Sequence, residues 1–348
     1  MCLHRRDRRL RVGDAGPTLA PNRRRSVPSG QALLNLIVSS GAIRHVGGPR
    51  FMVDTALLRK LLFPEHRAIQ AAGQTSRIDT GSMTFPPPGG TGAPTTYPAT
   101  LVIGAMGDTR ATGPVTDGQP ASINQPQASG QILIAAGGPG AVPNVGGPGG
   151  AGGAVQVTGG SEGLLVALGG RGGPGMTIGT PNPAAGSNGA DGGAGAQAIT
   201  IGPGSSNCCA SEAGNGGAGS IAALGRPGRP GIVIAGFTLR PPGPPTPSGT
   251  SSSGGAGGSA SVVTGDGSVV TAFGGNAGKD GPTLTPPPPP PPVTGVPLLV
   301  GFTWTGPVLT TVPSGNSGGD SVVLVGRNSS VSQRAGRPNG RRTLTQTP

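Results

Sequence analysis

Gly-Gly-Ala-Gly steps placed just ahead of short β-branched runs constrain this chain more than any other feature. Gly146 to Gly153 leads into Ala154-Val-Gln-Val-Thr158, and Gly192-Gly-Ala-Gly195 precedes Ile199-Thr-Ile201. Gly216-Gly-Ala-Gly219 precedes Ile221-Ala-Ala-Leu224, and Gly254-Gly-Ala-Gly257 precedes Val262-Val-Thr264. Strand-like runs centred on residues 132, 155, 166, 177, 199, 221 and 232 are spaced by close to multiples of eleven. Runs this short gain burial only by stacking on neighbours. Glycine suits the connections, where backbones approach closely and adopt positive φ. The expected fold is therefore mostly β with extensive irregular structure. Its body would be a Gly-rich β-solenoid-like or polyglycine-II-like repeat, with disordered basic termini.

Composition excludes a conventional aromatic-rich core. With 70 Gly and 40 Pro in 348 residues, the chain sits in the low-complexity range, and aromatic residues make up only 2%. The formal charge of +12 belongs to the ends. Residues 1–82 hold 14 Lys/Arg against 5 Asp/Glu, residues 83–325 hold 6 against 8, and residues 326–348 hold 5 against none. Any attraction to polyanions is thus a property of the termini. Non-specific polyanion contact through them is one expected partnership; self-association or contact with cell-envelope components is another.

Along the chain, residues 1–30 read as a disordered Arg-rich tail and 31–73 as an apolar segment followed by a short amphipathic helix. Residues 74–98 read as a Pro/Gly linker, 99–239 as the repeat body, 240–253 as a Pro/Ser linker and 254–282 as a continuation of the repeat. A polyproline spacer at 283–295, a terminal β segment at 296–326 and a basic disordered tail at 327–348 complete the chain. The run Ala32 to Ala42 has the length of a signal-peptide core, but an ordinary short helix or strand is the favoured reading. Leu57, Leu58, Leu61 and Leu62 fall at helical offsets, with Pro64 expected to interrupt or kink the helix. Nothing approaches the roughly 20 apolar residues needed to span a bilayer.

Glycine-based signatures arise by chance in such a sequence, so their context decides. Gly170-Arg-Gly-Gly-Pro-Gly175 fits a dinucleotide fingerprint with Asp191 downstream, but Pro181 and Pro183 follow where a helix must begin. Ser161 and Ser317 sit in nucleophile-elbow patterns, yet His4, His45 and His66 all lie upstream, whereas that family places its histidine downstream. Gly274 to Asp280 has Asp280 where a P-loop needs Ser or Thr, and Asp266 and Asp320 are too isolated for stacked calcium sites. Arg171, Arg334, Arg337, Arg341 and Arg342 lack the interleaved aromatics of an Arg-Gly-rich nucleic-acid binder. Cys2 and the adjacent Cys208 and Cys209 build no disulfide framework and no zinc pattern. No residue is assigned a catalytic, cofactor-binding or metal-binding role, and no cofactor is expected.

The Gly-Gly-Ala-Gly steps with interspersed Val/Ile/Thr runs resemble Gly-rich repeat proteins of GC-rich bacteria, including the mycobacterial PE-PGRS group. The likeness covers roughly residues 131–282 and lacks a PE module, since Pro64-Glu65 lies far from the start. It implies a non-enzymatic structural, surface or matrix protein with an adhesive role, exported or held at the cell envelope. The alternatives are a largely disordered protein binding nucleic acid or anionic membrane through its Arg-rich ends, and a mis-started or non-functional reading frame.

Overall fold

The computed structural model describes residues 30–109, 116–144, 146–176, 194–220, 252–280 and 318–337, together with five further strands named below. The chain opens with helix α1 (Gly30–Ser39), a hairpin of β1 (Ile43–Gly47) and β2 (Arg50–Val53), and helix α2 (Thr55–Ala71). An antiparallel pair follows, β3 (Ser76–Phe85) and β4 (Thr95–Gly104). Beyond it come β5 (Ala121–Asn124), β6 (Ile132–Ala136), β7 (Val155–Thr158), β8 (Leu164–Leu168), β9 (Ala198–Gly202) and β10 (Cys208–Glu212). Next are β11 (Ile232–Ile234), β12 (Phe237–Arg240), β13 (Ala260–Thr264), β14 (Val269–Phe273), β15 (Thr283–Thr285) and β16 (Val308–Thr310). The last strands are β17 (Ser321–Val325), β18 (Ser330–Arg334) and β19 (Arg342–Gln346).

Two sheets face each other. The first has seven strands in the order β18-β14-β10-β8-β6-β4-β3, parallel throughout except for the antiparallel β3–β4 pair at one end. The second has six parallel strands in the order β19-β17-β13-β9-β7-β5. β11 pairs with β12, and β15 with β16, as separate antiparallel ribbons.

Residue type follows how many faces of a strand are covered. The uninterrupted apolar runs Ile132–Ala136 and Leu164–Leu168 are buried at every position because the first sheet is covered on both faces at these two strands. Ile132, Ile134, Leu164, Val166 and Leu168 meet the helical layer, while Leu133, Ala135, Leu165 and Ala167 face the second sheet. In the second sheet Val155-Gln-Val-Thr158 alternates, with Val155 and Val157 buried and Gln156 exposed, so only one of its faces is covered.

Helix α2 starts where Asp54 accepts a hydrogen bond from Leu57 N at 2.9 Å, and it continues through Pro64. Leu58, Leu62 and Ile69 are buried, and Leu57 and Leu61 pack partly against the same core. In α1, Leu33, Leu34 and Ile37 are buried against Met83 and Phe85, among others, so the segment with signal-like length is a packed core helix. Each such side chain contributes about 1.5–3 kcal/mol on burial.

The glycine-rich connections lie beside one another at the ends of the strands, and a line of hydrogen bonds passes between them. Gly138 N donates to Gln119 O, Gly153 to Gly138, Gly170 to Gly153, Ala196 to Gly170 and Gly214 to Ala196, all at 2.8–2.9 Å. The line continues through Gly258, Gly275 and Gly319 to Gly336. A Cβ on Gly214 would stand 1.7 Å from Gly170 O, and one on Gly275 1.8 Å from Gly214 O. Neither residue is among the glycines with positive φ, so close approach, not backbone handedness, requires glycine here.

This architecture corrects the expected fold class. Among the described residues the chain forms a compact α/β structure with two α-helices, a seven-stranded mixed sheet and a parallel second sheet, not a Gly-rich β-solenoid or a polyglycine-II-like body. The reason is physical: the apolar runs divide between two sheets, and the N-terminal helices and hairpin complete the core of one of them. Low complexity and disorder likewise do not describe these ordered residues. Arg-rich residues 327–348, expected to be a disordered tail, contribute β18 and β19, while residues 1–29 lie outside the described residues. Ser76–Phe85, placed by sequence within a linker, is β3. The spacing of eleven is not the structural repeat either. Matching positions in successive strands of the first sheet are residues 132, 164, 208, 269 and 330. The polyproline run and Trp304 lie outside the described residues.

Candidate functional site

Two features face outward from this frame. The first is the uncovered face of the second sheet. Register aligns Ser122, Gln156, Ile199, Ser261 and Val322 in one row, and Asn124, Thr158, Ile201, Val263 and Leu324 in the next. All ten positions are uncharged and all are half-buried or exposed, with Val263 and Val322 among the exposed large apolar residues. The face grades from polar at β5 to apolar at β17.

The second is a cleft of about 240 Å³ between α2 and the glycine-rich layer. Helix α2 supplies Arg59, Lys60, Phe63 and His66, and the layer supplies Pro139, Gly170 and Arg171, among others. Arg59 fixes the helix to the sheet. Its Nε meets Glu212 Oε1 at 3.0 Å, one terminal nitrogen donates to Gly169 O at 2.7 Å, and the other donates to Glu212 O and Ala213 O. Burial pulls the Arg59 guanidinium below its ordinary range, Glu212 opposes that pull, and the nearby Arg171 charge adds to it.

His66 is buried, and its Nδ1 meets Gly104 O at 2.6 Å. A carbonyl accepts only, so Nδ1 carries the proton and Nε2 of the neutral ring is an acceptor. Burial lowers the His66 pKa from 6.5, with the Gly104 bond opposing and Arg59 reinforcing. The unfolded state therefore takes up a proton first as pH falls below about 6.5. Stability is full above that value and is lost progressively beneath it. Thermal melts between pH 7.5 and pH 5.5 are expected to show a falling Tm, and His66→Gln is expected to flatten the part of that slope due to this ring. Glu65, beside Arg77 and near Asp79, is shifted the other way: burial raises its carboxyl pKa, with Arg77 opposing.

The described residues of the remaining sequence motifs meet partners other than those their patterns require. Ser161 Oγ shares a hydrogen bond with Ser129 Oγ at 3.0 Å, not with a histidine, and Ser317 lies outside the described residues. Gly170 and Gly173 belong to the hydrogen-bonded layer and Arg171 to the cleft, while Asp191 is outside the described residues. Asp280 Oδ1 accepts from Gly254 N at 2.8 Å, and Asp266 Oδ1 accepts from Arg327 N at 2.7 Å, so both cap neighbouring turns. Cys208 and Cys209 are free and buried, and burial raises both thiol pKa values, Cys209 well above its usual range. Among the described residues no group of three His, Cys, Asp or Glu is placed to hold a metal ion.

Sequence reasoning missed the cleft because its walls are joined only by the fold: α2 and the Gly170 turn lie about a hundred residues apart. Arg59 and Arg171 were visible as basic residues, but nothing local marks them as neighbours. No family model, curated protein or solved structure matches the chain. No helix among the described residues is long and apolar enough to cross a membrane.

Proposed function

We propose that this chain is a non-enzymatic structural protein of a surface or matrix, and that the uncovered face of the second sheet is its adhesive contact surface. The observation that supports this reading is the pair of outward rows from Ser122 and Asn124 to Val322 and Leu324, uncharged across five strands and backed by a close-packed body. Val263 and Val322 lie on neighbouring strands of this face, and exposed apolar side chains so grouped suit a contact surface.

The test is adsorption of the full chain to a methyl-terminated monolayer, followed by mass on a quartz crystal microbalance. Uptake is expected to change little with salt and to fall at least about fivefold in Val263→Lys/Val322→Lys, where two desolvated cations would oppose contact. Ile78→Lys, a change outside this face at a residue 66% exposed, is expected to leave uptake unchanged. Uptake that persists in the double variant overturns the reading. Capture on anionic vesicles or DNA that collapses with added salt, without matching uptake on the monolayer, would transfer the function to the Arg-rich ends.

A further inference from the structure

The cleft beside α2 combines three features that the uncovered sheet face lacks. Lys60 and Arg171 lie on its walls, and neither takes part in an ion pair among the described residues, whereas Arg59 is matched by Glu212. Phe63, 48% exposed, presents an aromatic side chain at the same opening. His66 is only 6% exposed, and its Nδ1 is committed to Gly104 O, which leaves the Nε2 lone pair without a partner at a wall of the cleft. Unmatched cations, an apolar platform and one imidazole acceptor together define a ligand. It carries an anionic group, a ring with an apolar face, and a hydroxyl that donates.

We propose that this cleft binds one ring of an acidic saccharide of the uronate class. The ring stacks on Phe63, the carboxylate lies between Arg171 and Lys60, and a ring hydroxyl donates to His66 Nε2. Size fits: about 240 Å³ is below the range of drug-sized pockets and admits a single sugar ring. The charge pattern fits as well, because Arg171 and Arg59 stand close enough to repel, and a carboxylate beside Arg171 offsets that repulsion. A nucleotide shares the ring and the anion, which makes adenosine monophosphate the competing ligand to separate by titration.

Isothermal titration of the full chain with trigalacturonate tests the assignment, alongside neutral galactotriose, sulfate and adenosine monophosphate. Trigalacturonate is expected to bind at least about tenfold more tightly than each of the other three. Arg171→Ala and Phe63→Ala are each expected to weaken it about tenfold or more, which corresponds to about 1.4 kcal/mol. Both side chains are exposed, and unchanged circular dichroism of each variant establishes that the fold is intact. Equal affinity for galactotriose or sulfate, tighter binding of the nucleotide, binding indifferent to both substitutions, or no binding of trigalacturonate each overturns the proposal. Val263→Lys/Val322→Lys is expected to bind trigalacturonate normally, so failure here and failure of the adhesive face are separate results.

Discussion

Gly214→Ala is expected to abolish folding, or to lower stability by more than the about 1–3 kcal/mol typical of an overpacked core. The added methyl would stand 1.7 Å from Gly170 O and 2.8 Å from Ala196 N, and both are backbone atoms that no rotamer change can move aside. Gly214 also stands mid-line, donating to Ala196 O and accepting from Gly258 N, so parting the segments breaks hydrogen bonds on both sides. Gly275→Ala is expected to behave alike, because its Cβ would meet Gly214 O at 1.8 Å. The comparison is Gly130→Asn: Gly130 has φ +62° with nothing near its missing Cβ, a backbone that asparagine tolerates. Thermal denaturation followed by circular dichroism separates them. A Gly214→Ala protein that melts within a few degrees of the parent would show that the layer is not close-packed.

Asn207→Asp is expected to be more damaging at neutral pH than Asn207→Ala. The Asn207 amide is buried where three turns meet. Its Oδ1 accepts from Gly163 N at 3.1 Å, and its Nδ2 reaches Gly160 O, Gly202 O and Gly204 O at 2.8–3.0 Å. Alanine leaves those groups without their partner, and each buried polar group so stranded costs about 1–3 kcal/mol. Aspartate keeps the shape but sets a buried negative charge against three carbonyl oxygens, so the site changes from donating to repelling. Urea unfolding at pH 7 is the measurement. An aspartate variant as stable as the parent would contradict the hydrogen-bond assignment.

Some of this fold is legible in the sequence, and the physical reasons are specific. The unbroken runs Ile132–Ala136 and Leu164–Leu168 announce strands covered on both faces, and the alternation in Val155–Thr158 announces a strand covered on one. The leucine stripe marks α2 as an amphipathic helix whose Leu58, Leu62 and Ile69 meet the core, although Pro64, expected to interrupt or kink it, lies inside it. β3 is hidden because Arg77, Asp79 and Gly81 interrupt its apolar side, and their roles are fixed by partners distant in sequence, among them Glu65 and Gln31. β10 is hidden because Cys208-Cys-Ala-Ser-Glu212 is small rather than bulky, which suits a strand squeezed between two layers.

The 61-residue interval that relates Cys208 in β10, Val269 in β14 and Ser330 in β18 is hidden in the sequence because its signature lies in polar turns. Asn276 N donates to Asn215 Oδ1 and Arg337 N to Asn276 Oδ1, in each case across 61 residues, while the strands between have diverged in sequence. The candidate cleft was beyond reach for a related reason. Its cations, aromatic and imidazole come from one helix and one distant turn, and composition records the residues without recording that they meet.

The same step of 61 residues sets how such a molecule can grow. Asn207, Ser268 and Ser329 follow one another at this interval, as do Asp266 and Arg327, so a duplicated stretch of that length re-enters the pattern in phase. Each duplication would add one strand to each sheet and widen both by about 4.8 Å. Unequal recombination within the gene would then yield longer or shorter proteins whose strands still pair, with the helix-bearing end unchanged.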